Sequence, residues 1–358
     1  MKVLFILVLC TAEVSPAPKF CLSPSVDLPK EQGPEANEMD VGVYFIFDDN
    51  FRVKSNDQGQ PTLLEYLLTL LNAAQLRYLD IQNLRVVLSL VGASKIQLKI
   101  QRYDYIRNRG QAQVQLNAKN VHSYVKEHFT KNRNTYAEGD VVIFISGLNL
   151  LRVPQEPKMW TGGPTIGGAC GDDRVGLIHD DGQSFNGVGD LAQTIAFLLG
   201  ATRDTSWSAS HSQARLGFLT SAIGGGPRYG FSPESKAALL LFYETKKDNT
   251  CWKEPPANRL SQNSTDVVLP ANIFQKYELP FFHPCYLAYK MHPCKKEESN
   301  KAGTVECYSF CCGSNEGIHH RQPRTAVYDG TPCREKGVCI SGKCIMPPTD
   351  AMPENNET

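Results

Sequence analysis

Eight of the chain's twelve cysteines lie between Cys285 and Cys344. Eight in those 60 residues exceeds the roughly 8–10% that marks a disulfide scaffold, so this stretch reads as a small module stapled by its own bridges. The candidates are Cys285, Cys294, Cys307, Cys311, Cys312, Cys333, Cys339 and Cys344, and spacing alone does not give their connectivity. Cys170 and Cys251 stand in a larger, otherwise cysteine-free region and are natural partners for one another. A bridge there would close a loop of about 80 residues and contribute ~4–5 kcal/mol through the unfolded chain. Cys21 is left over, either as a free thiol or as the link of a disulfide dimer.

The N-terminus agrees with an oxidising compartment. Lys2, an apolar run from Val3 to Cys10 and the small residues Thr11 and Ala12 read as a secretory signal peptide over residues 1–12. That run is too short to span a bilayer, and no later segment approaches the ~20 apolar residues a transmembrane helix needs. The mature protein is therefore expected to be secreted, extracellular and without a membrane span. Lys plus Arg and Asp plus Glu each total 37, which leaves no field of one sign to attract nucleic acid or an anionic membrane. Glycan acceptor triplets occur at Asn263 and Asn356.

Residues 13–38 hold five prolines without apolar periodicity and read as an extended leader. Strands are expected at Val41–Asp49, Leu84–Gly92, Asp140–Gly147 and Arg174–Ile178, where β-branched and aromatic residues cluster. Leu63, Leu67, Leu70, Leu71, Ala74 and Tyr78 recur at helical spacing, and a further helix is expected around Val121–Phe129. The segment Asn186–Asp204 reads as a buried helix stopped by Gly200. Strands alternating with helices indicate an α/β layer structure over residues 39–255. A linker at 256–284, the cysteine-rich module at 285–346 and a polar tail at 347–358 complete the organisation.

This order resembles the reprolysin (ADAM-type) zinc metalloproteases of the metzincin clan, most of all the secreted salivary members of blood-feeding ticks. The resemblance rests on YLLTLLNAAQLRYLDIQNLRVVLSLVG, GGPTIGGACGDDRVGLIHDD and NGVGDLAQTIAFLLGATRD, and covers residues 39–255. The string DGTPCREKGVCISGKC, from Asp329 to Cys344, is similar to the cysteine-rich region of ADAMTS-like proteins. The resemblance implies a metzincin-type sheet-and-helix domain followed by a small disulfide-rich module.

It also implies a zinc site, and here the chain departs from the family. The motif H-E-x-x-H-x-x-G-x-x-H followed by Asp places two imidazoles on one helix face, turns at Gly, and adds a third imidazole, with Glu activating the bound water. Anchored on Gly200 and Asp204, the ligand positions hold Gln193, Phe197 and Arg203, and the base position holds Thr194. An amide is a poor zinc ligand, a phenyl ring has no lone pair, and a guanidinium carries a fixed positive charge. Thr194 cannot serve as a base near neutral pH. In GFLTSA, Thr220 stands where the family has the methionine beneath the metal. Asp140 matches a carboxylate of a calcium site sometimes present in such folds, but Gly42 stands where the family has Glu, so calcium is not expected.

No other constellation replaces the lost one. The histidines do not pair at i, i+4 on a helix, and no serine has a nucleophile-elbow pattern. Zinc is expected of the family, yet no cofactor is expected of this chain. The short leader fits a protein with no activity to silence. By resemblance, the substrate edge of the sheet would be GGPTIGGAC, Gly162–Cys170, weakened by Pro164 and its glycines. The arginines near Arg102, Arg107 and Arg109 read as a solvated strand face, and no RGD triplet occurs. The reading is a catalytically inactive pseudoprotease that binds an extracellular host protein of haemostasis or immunity. The alternatives are a zinc endopeptidase with atypical ligands and a decoy for protease inhibitors.

Overall fold

The computed structural model describes residues 37–53, 61–79, 81, 83–97, 105–106, 115–151, 164–204, 218–220, 230–246, 251, 268–276, 283–289, 291–294, 307–312, 324–334 and 337–345. Among these, four strands form one all-parallel sheet in the order β2 (Leu84–Lys95), β1 (Asn37–Phe47), β5 (Val141–Ser146), β7 (Val175–His179). β1 begins two residues inside the stretch read as leader. Short strands β3 (Tyr105–Ile106), β4 (Gln115–Asn117) and β6 (Leu150–Leu151) make a small second sheet.

Alternation along the strands decides which helices pack where. Val41, Val43 and Phe45 of β1, with Val141, Ile143 and Ile145 of β5, face α1 (Leu63–Gln75) and α3 (Val188–Leu198) in one core. Their neighbours Ile46, Val142 and Phe144 face α2 (Ala118–Lys131) in another, against Val121, Val125 and Phe129. A strand apolar on both sides can only sit between two layers, which is why β5 is buried along its whole length. The result is helix–sheet–helix, a mixed α/β architecture with a parallel sheet. Gly176 faces α3, where a side chain would overlap Cγ2 of Thr194.

Local caps set the boundaries. Thr62 Oγ1 accepts from the Glu65 N–H at 3.2 Å to start α1, and Asn117 Oδ1 accepts from Lys119 and Asn120 to start α2. β1 ends because the Asp48 carboxylate accepts the N–H groups of Asn50 and Phe51, both at 3.0 Å, and turns the chain. α3 ends at Gly200, whose φ of +91° suits glycine, with Phe242 packed where a side chain would stand.

One sequence expectation needs correction. The edge at 162–170 is not a strand over its described part, Pro164–Cys170. Pro164 has no N–H, and Gly167 and Cys170 have φ of +71° and +63°, which a ladder does not accommodate. The segment instead donates from Gly167 and Ala169 to the carbonyls of Phe197 and Leu198, sealing the end of α3. The stretch read as a linker, 256–284, contains helix α5 (Pro270–Lys276) and the start of α6 (Pro284–Tyr289) among its described residues. Between α3 and this region lies α4 (Pro233–Lys246).

The C-terminal region holds β8 (His292–Pro293), β9 (Tyr308–Cys312) and β10 (Arg324–Ala326) in one small sheet, and β11 (Pro332–Cys333), β12 (Gly337–Ile340) and β13 (Lys343–Ile345) in another. Its cysteines pair as Cys285–Cys311, Cys294–Cys312, Cys307–Cys339 and Cys333–Cys344. Cys170 pairs with Cys251. Cys21, Asn263 and Asn356, together with Arg102, Arg107 and Arg109, lie outside the described residues. Among the described residues, no helix is long and apolar enough to cross a membrane.

Candidate functional site

The residues singled out by sequence converge at the C-terminal half of α3. Gln193, Thr194 and Phe197 share this helix, which is launched by an elaborate turn. Asp180, fully buried at the end of β7, accepts from Tyr66 Oη at 2.7 Å, from Gly182 N–H at 2.8 Å and from Gly187 N–H at 2.9 Å. The next residue, Asp181, accepts from the N–H groups of Gln183 and Ser184 and from the Ser184 hydroxyl. These two carboxylates place Gly187, the N-cap of α3.

Each position assigned by resemblance to zinc chemistry is occupied by a side chain with another task. Gln193 Nε2 donates to the carbonyl of Leu219, tying α3 to the segment that carries Thr220. Thr194 is buried against Gly176 in the sheet. The ring of Phe197 is buried, and the guanidinium carbon of Arg203 lies 5.6 Å from its centroid, within cation–π range.

Beneath them a hydroxyl network has formed around Asp204. Its carboxylate accepts from Ser232 Oγ at 2.6 Å and Thr220 Oγ1 at 3.1 Å, and its N–H donates to the Thr220 carbonyl at 3.1 Å. Ser235 Oγ lies 2.8 Å from Thr220 Oγ1, within hydrogen-bond range, and its N–H donates to Ser232 Oγ. Thr220, Ser232 and Ser235 are buried, so these groups satisfy each other in place of water.

This donor set does not fit zinc. Divalent zinc takes imidazole, thiolate or carboxylate ligands in a tetrahedral arrangement. Here an amide already committed to a carbonyl, a methyl-bearing side chain packed on glycine and a benzyl ring under a cation line the helix face. Groups of three metal-capable side chains occur elsewhere among the described residues, as Asp140–Cys170–Cys251 and Cys307–Cys333–Cys339. In both, every cysteine is already in a disulfide, so no thiolate is offered. Asp140 accepts from the Gly42 N–H at 2.7 Å, so backbone satisfies this carboxylate oxygen.

Sequence reasoning located Gln193, Thr194, Phe197, Arg203, Asp204 and Thr220 together but missed Ser232, Ser235, Tyr66 and Asp180. Tyr66 and Asp180 are 114 positions apart, and the only signal was a tyrosine on an otherwise aliphatic helix face. A buried phenol needs a hydrogen-bond partner, and a carboxylate closing a parallel strand is one.

Burial pushes the Asp180 carboxyl up to about 6, against the pull of Tyr66 and two backbone N–H groups. Its unfolded value is 3.8, so between these values the folded chain holds a proton that the unfolded chain releases. Stability from this group is therefore full at acid pH and declines as pH rises from about 4 to about 6. About two pK units correspond to at most ~3 kcal/mol. Urea denaturation of the wild type and Asp180→Asn across pH 4–7 is expected to show a shallower decline in the variant, together with a constant loss from the acceptor it cannot replace. Parallel curves would refute the assignment.

No family model and no curated protein matches the chain. Among solved structures, one described as a chaperone–substrate complex aligns with 68% of this chain and 36% of its own length, at 15% identity and a TM-score of 0.34. This chain thus spans about a third of that one, and the likeness assigns neither fold nor function.

Proposed function

We propose that the chain is a secreted, catalytically inactive homologue of reprolysin-type metzincins that works by binding an extracellular protein. The observation that carries the reading is that α3 packs through the positions the resemblance assigns to zinc chemistry: Gln193 bonds to Leu219, Thr194 fills the space over Gly176, and Phe197 supports Arg203. The hydroxyls of Thr220, Ser232 and Ser235 around Asp204 tie the same region together through side-chain hydrogen bonds. The disulfides of the C-terminal module favour an oxidising compartment and supply a stiff surface whose binding costs little conformational entropy. A host protein of haemostasis or immunity is the partner that the resemblance to tick salivary proteins suggests.

Elemental analysis of the purified secreted protein tests the first part. Zinc is expected far below one equivalent per chain, and fibrinogen and gelatin are expected to stay intact with or without a chelator. Stoichiometric zinc with chelator-sensitive cleavage would overturn the reading in favour of an endopeptidase with atypical ligands.

A further inference from the structure

α1 and the 3-10 turn that follows it carry two sets of polar contacts, one to α3 and the turn that launches it, the other to the C-terminal module and the segment just before it, and they interleave along the chain. Toward α3, Tyr66 Oη donates to Asp180 and accepts the Phe185 N–H at 3.0 Å, while its ring stacks on Phe185 with centroids 4.2 Å apart. One helix length later, in the 3-10 turn Leu76–Tyr78, Tyr78 Oη donates to the carbonyl of Ala192 in α3 at 2.7 Å. These two phenols hold both the launching turn and the middle of α3.

Toward the module, the residue beside Tyr78 does the equivalent work. Arg77 is buried, 2.6 Å from the Asp329 carboxylate, and donates to Ser341 Oγ at 2.7 Å and to the Ala73 carbonyl at 3.0 Å. The other oxygen of Asp329 accepts the Ser341 N–H at 2.7 Å. Leu76 packs with Leu269 and Ile340, Asn72 donates to the Val268 carbonyl, and Glu65 pairs with Lys276 of α5. The loop carrying Asp329 and Ser341 is held by Cys307–Cys339 and Cys333–Cys344. Arg77 and Tyr78 are thus consecutive residues of one rigid turn, bonded to partners in different parts of the molecule.

We infer that α1 is a relay through which the disulfide-rich module fixes the position of α3, so that loosening the module loosens the helix bearing Gln193, Thr194 and Phe197. The buried side chains along the route, Tyr66, Tyr78, Arg77 and Asp329, have no alternative partner in water without moving the elements they join.

Hydrogen exchange of the full chain, followed by mass spectrometry on peptides from 63–79, 188–198 and 337–345, tests the relay. Asp329→Asn keeps an oxygen for the Ser341 N–H but removes the charge facing Arg77. Exchange is expected to quicken about tenfold both in 337–345 and in 188–198. The pair Arg77→Met with Asp329→Leu, which fills the same space without charge, is expected to bring 188–198 back toward the wild-type rate. Faster exchange confined to 337–345, or no change anywhere, would overturn the inference. If Asp329→Asn does not fold, Tyr78→Phe decides from the opposite end. Because coupling is reciprocal, loss of this hydroxyl must quicken exchange in 337–345, and an unchanged rate there would equally overturn it.

Discussion

Replacing Arg77 by alanine is expected to cost the full-length chain about 3–5 kcal/mol, the usual penalty for stranding one member of a buried ion pair. Arg77 and Asp329 are 3% and 9% exposed, so solvent cannot take over the abandoned carboxylate without opening the contact between α1 and the module. The alanine also removes the bonds to Ser341 and Ala73. The pair itself is not an efficient source of stability. Nε of Arg77 is buried without an acceptor, and desolvating two charges offsets much of their attraction. An apolar exchange, Arg77→Met with Asp329→Leu, is therefore expected to recover most of the loss. Denaturant unfolding of the three chains provides the measurement. An alanine variant within 1 kcal/mol of the wild type would mean that the contact is wet and energetically idle.

Why retain such a pair at all? Leu76, Leu79, Leu269, Val338, Ile340 and Ile345 form a small apolar contact that would tolerate sliding. An arginine Nη2 meeting one carboxylate oxygen of Asp329, with the Ser341 N–H holding the other, allows a single register. Stability would be served as well by leucines. Orientation would not.

Much of the layer structure was legible in the sequence because it depends on local composition. Val141–Ser146 carries apolar residues on both faces, which suffices to place it between two layers. The helical spacing of Leu67, Leu70, Leu71 and Ala74 likewise coincides with the buried face of α1, whereas Leu63 in its first turn is exposed. What escaped were features whose partners are distant in sequence. Arg77 bonds to a residue 264 positions away, and nothing near either one signals the other. The segment 164–170 escaped for a different reason: its glycines and Pro164 indicate weakness in a strand, whereas the backbone turns outright because Cys170 is drawn onto the Asp140 carbonyl, which accepts its N–H at 2.9 Å. In α3, Gln193 and Thr194 were visible one by one, but neither the bond from Gln193 to Leu219 nor the packing of Thr194 on Gly176 is signalled near them in the sequence.

That turn at Cys170 bears on the largest single covalent contribution. Substituting both Cys170 and Cys251 by alanine is expected to destabilise the chain by about 4–5 kcal/mol on loop-entropy grounds, because the bridge spans 81 positions. The spanned stretch contains β7, α3 and α4, so it is these elements whose unfolded freedom the bridge restricts. Removing Cys333 and Cys344, only 11 positions apart, should cost about 3 kcal/mol by the same logic. A second signature separates constraint from mere packing. The sulfur of Cys251 lies 2.9 Å from Oδ1 of Asp140, a carboxyl pushed up to about 6 chiefly by burial. Alanine at 251 opens this corner to water, which lowers the folded-state value toward 3.8, the ordinary one. Since a raised carboxyl value means stability lost as pH climbs from about 4 to about 6, the alanine pair should show a smaller loss across that interval than the wild type, even though it is less stable throughout. Guanidinium unfolding at several pH values reads both effects at once. Equal costs for the two disulfides, or an undiminished slope, would remove loop closure and Asp140 burial as the explanation.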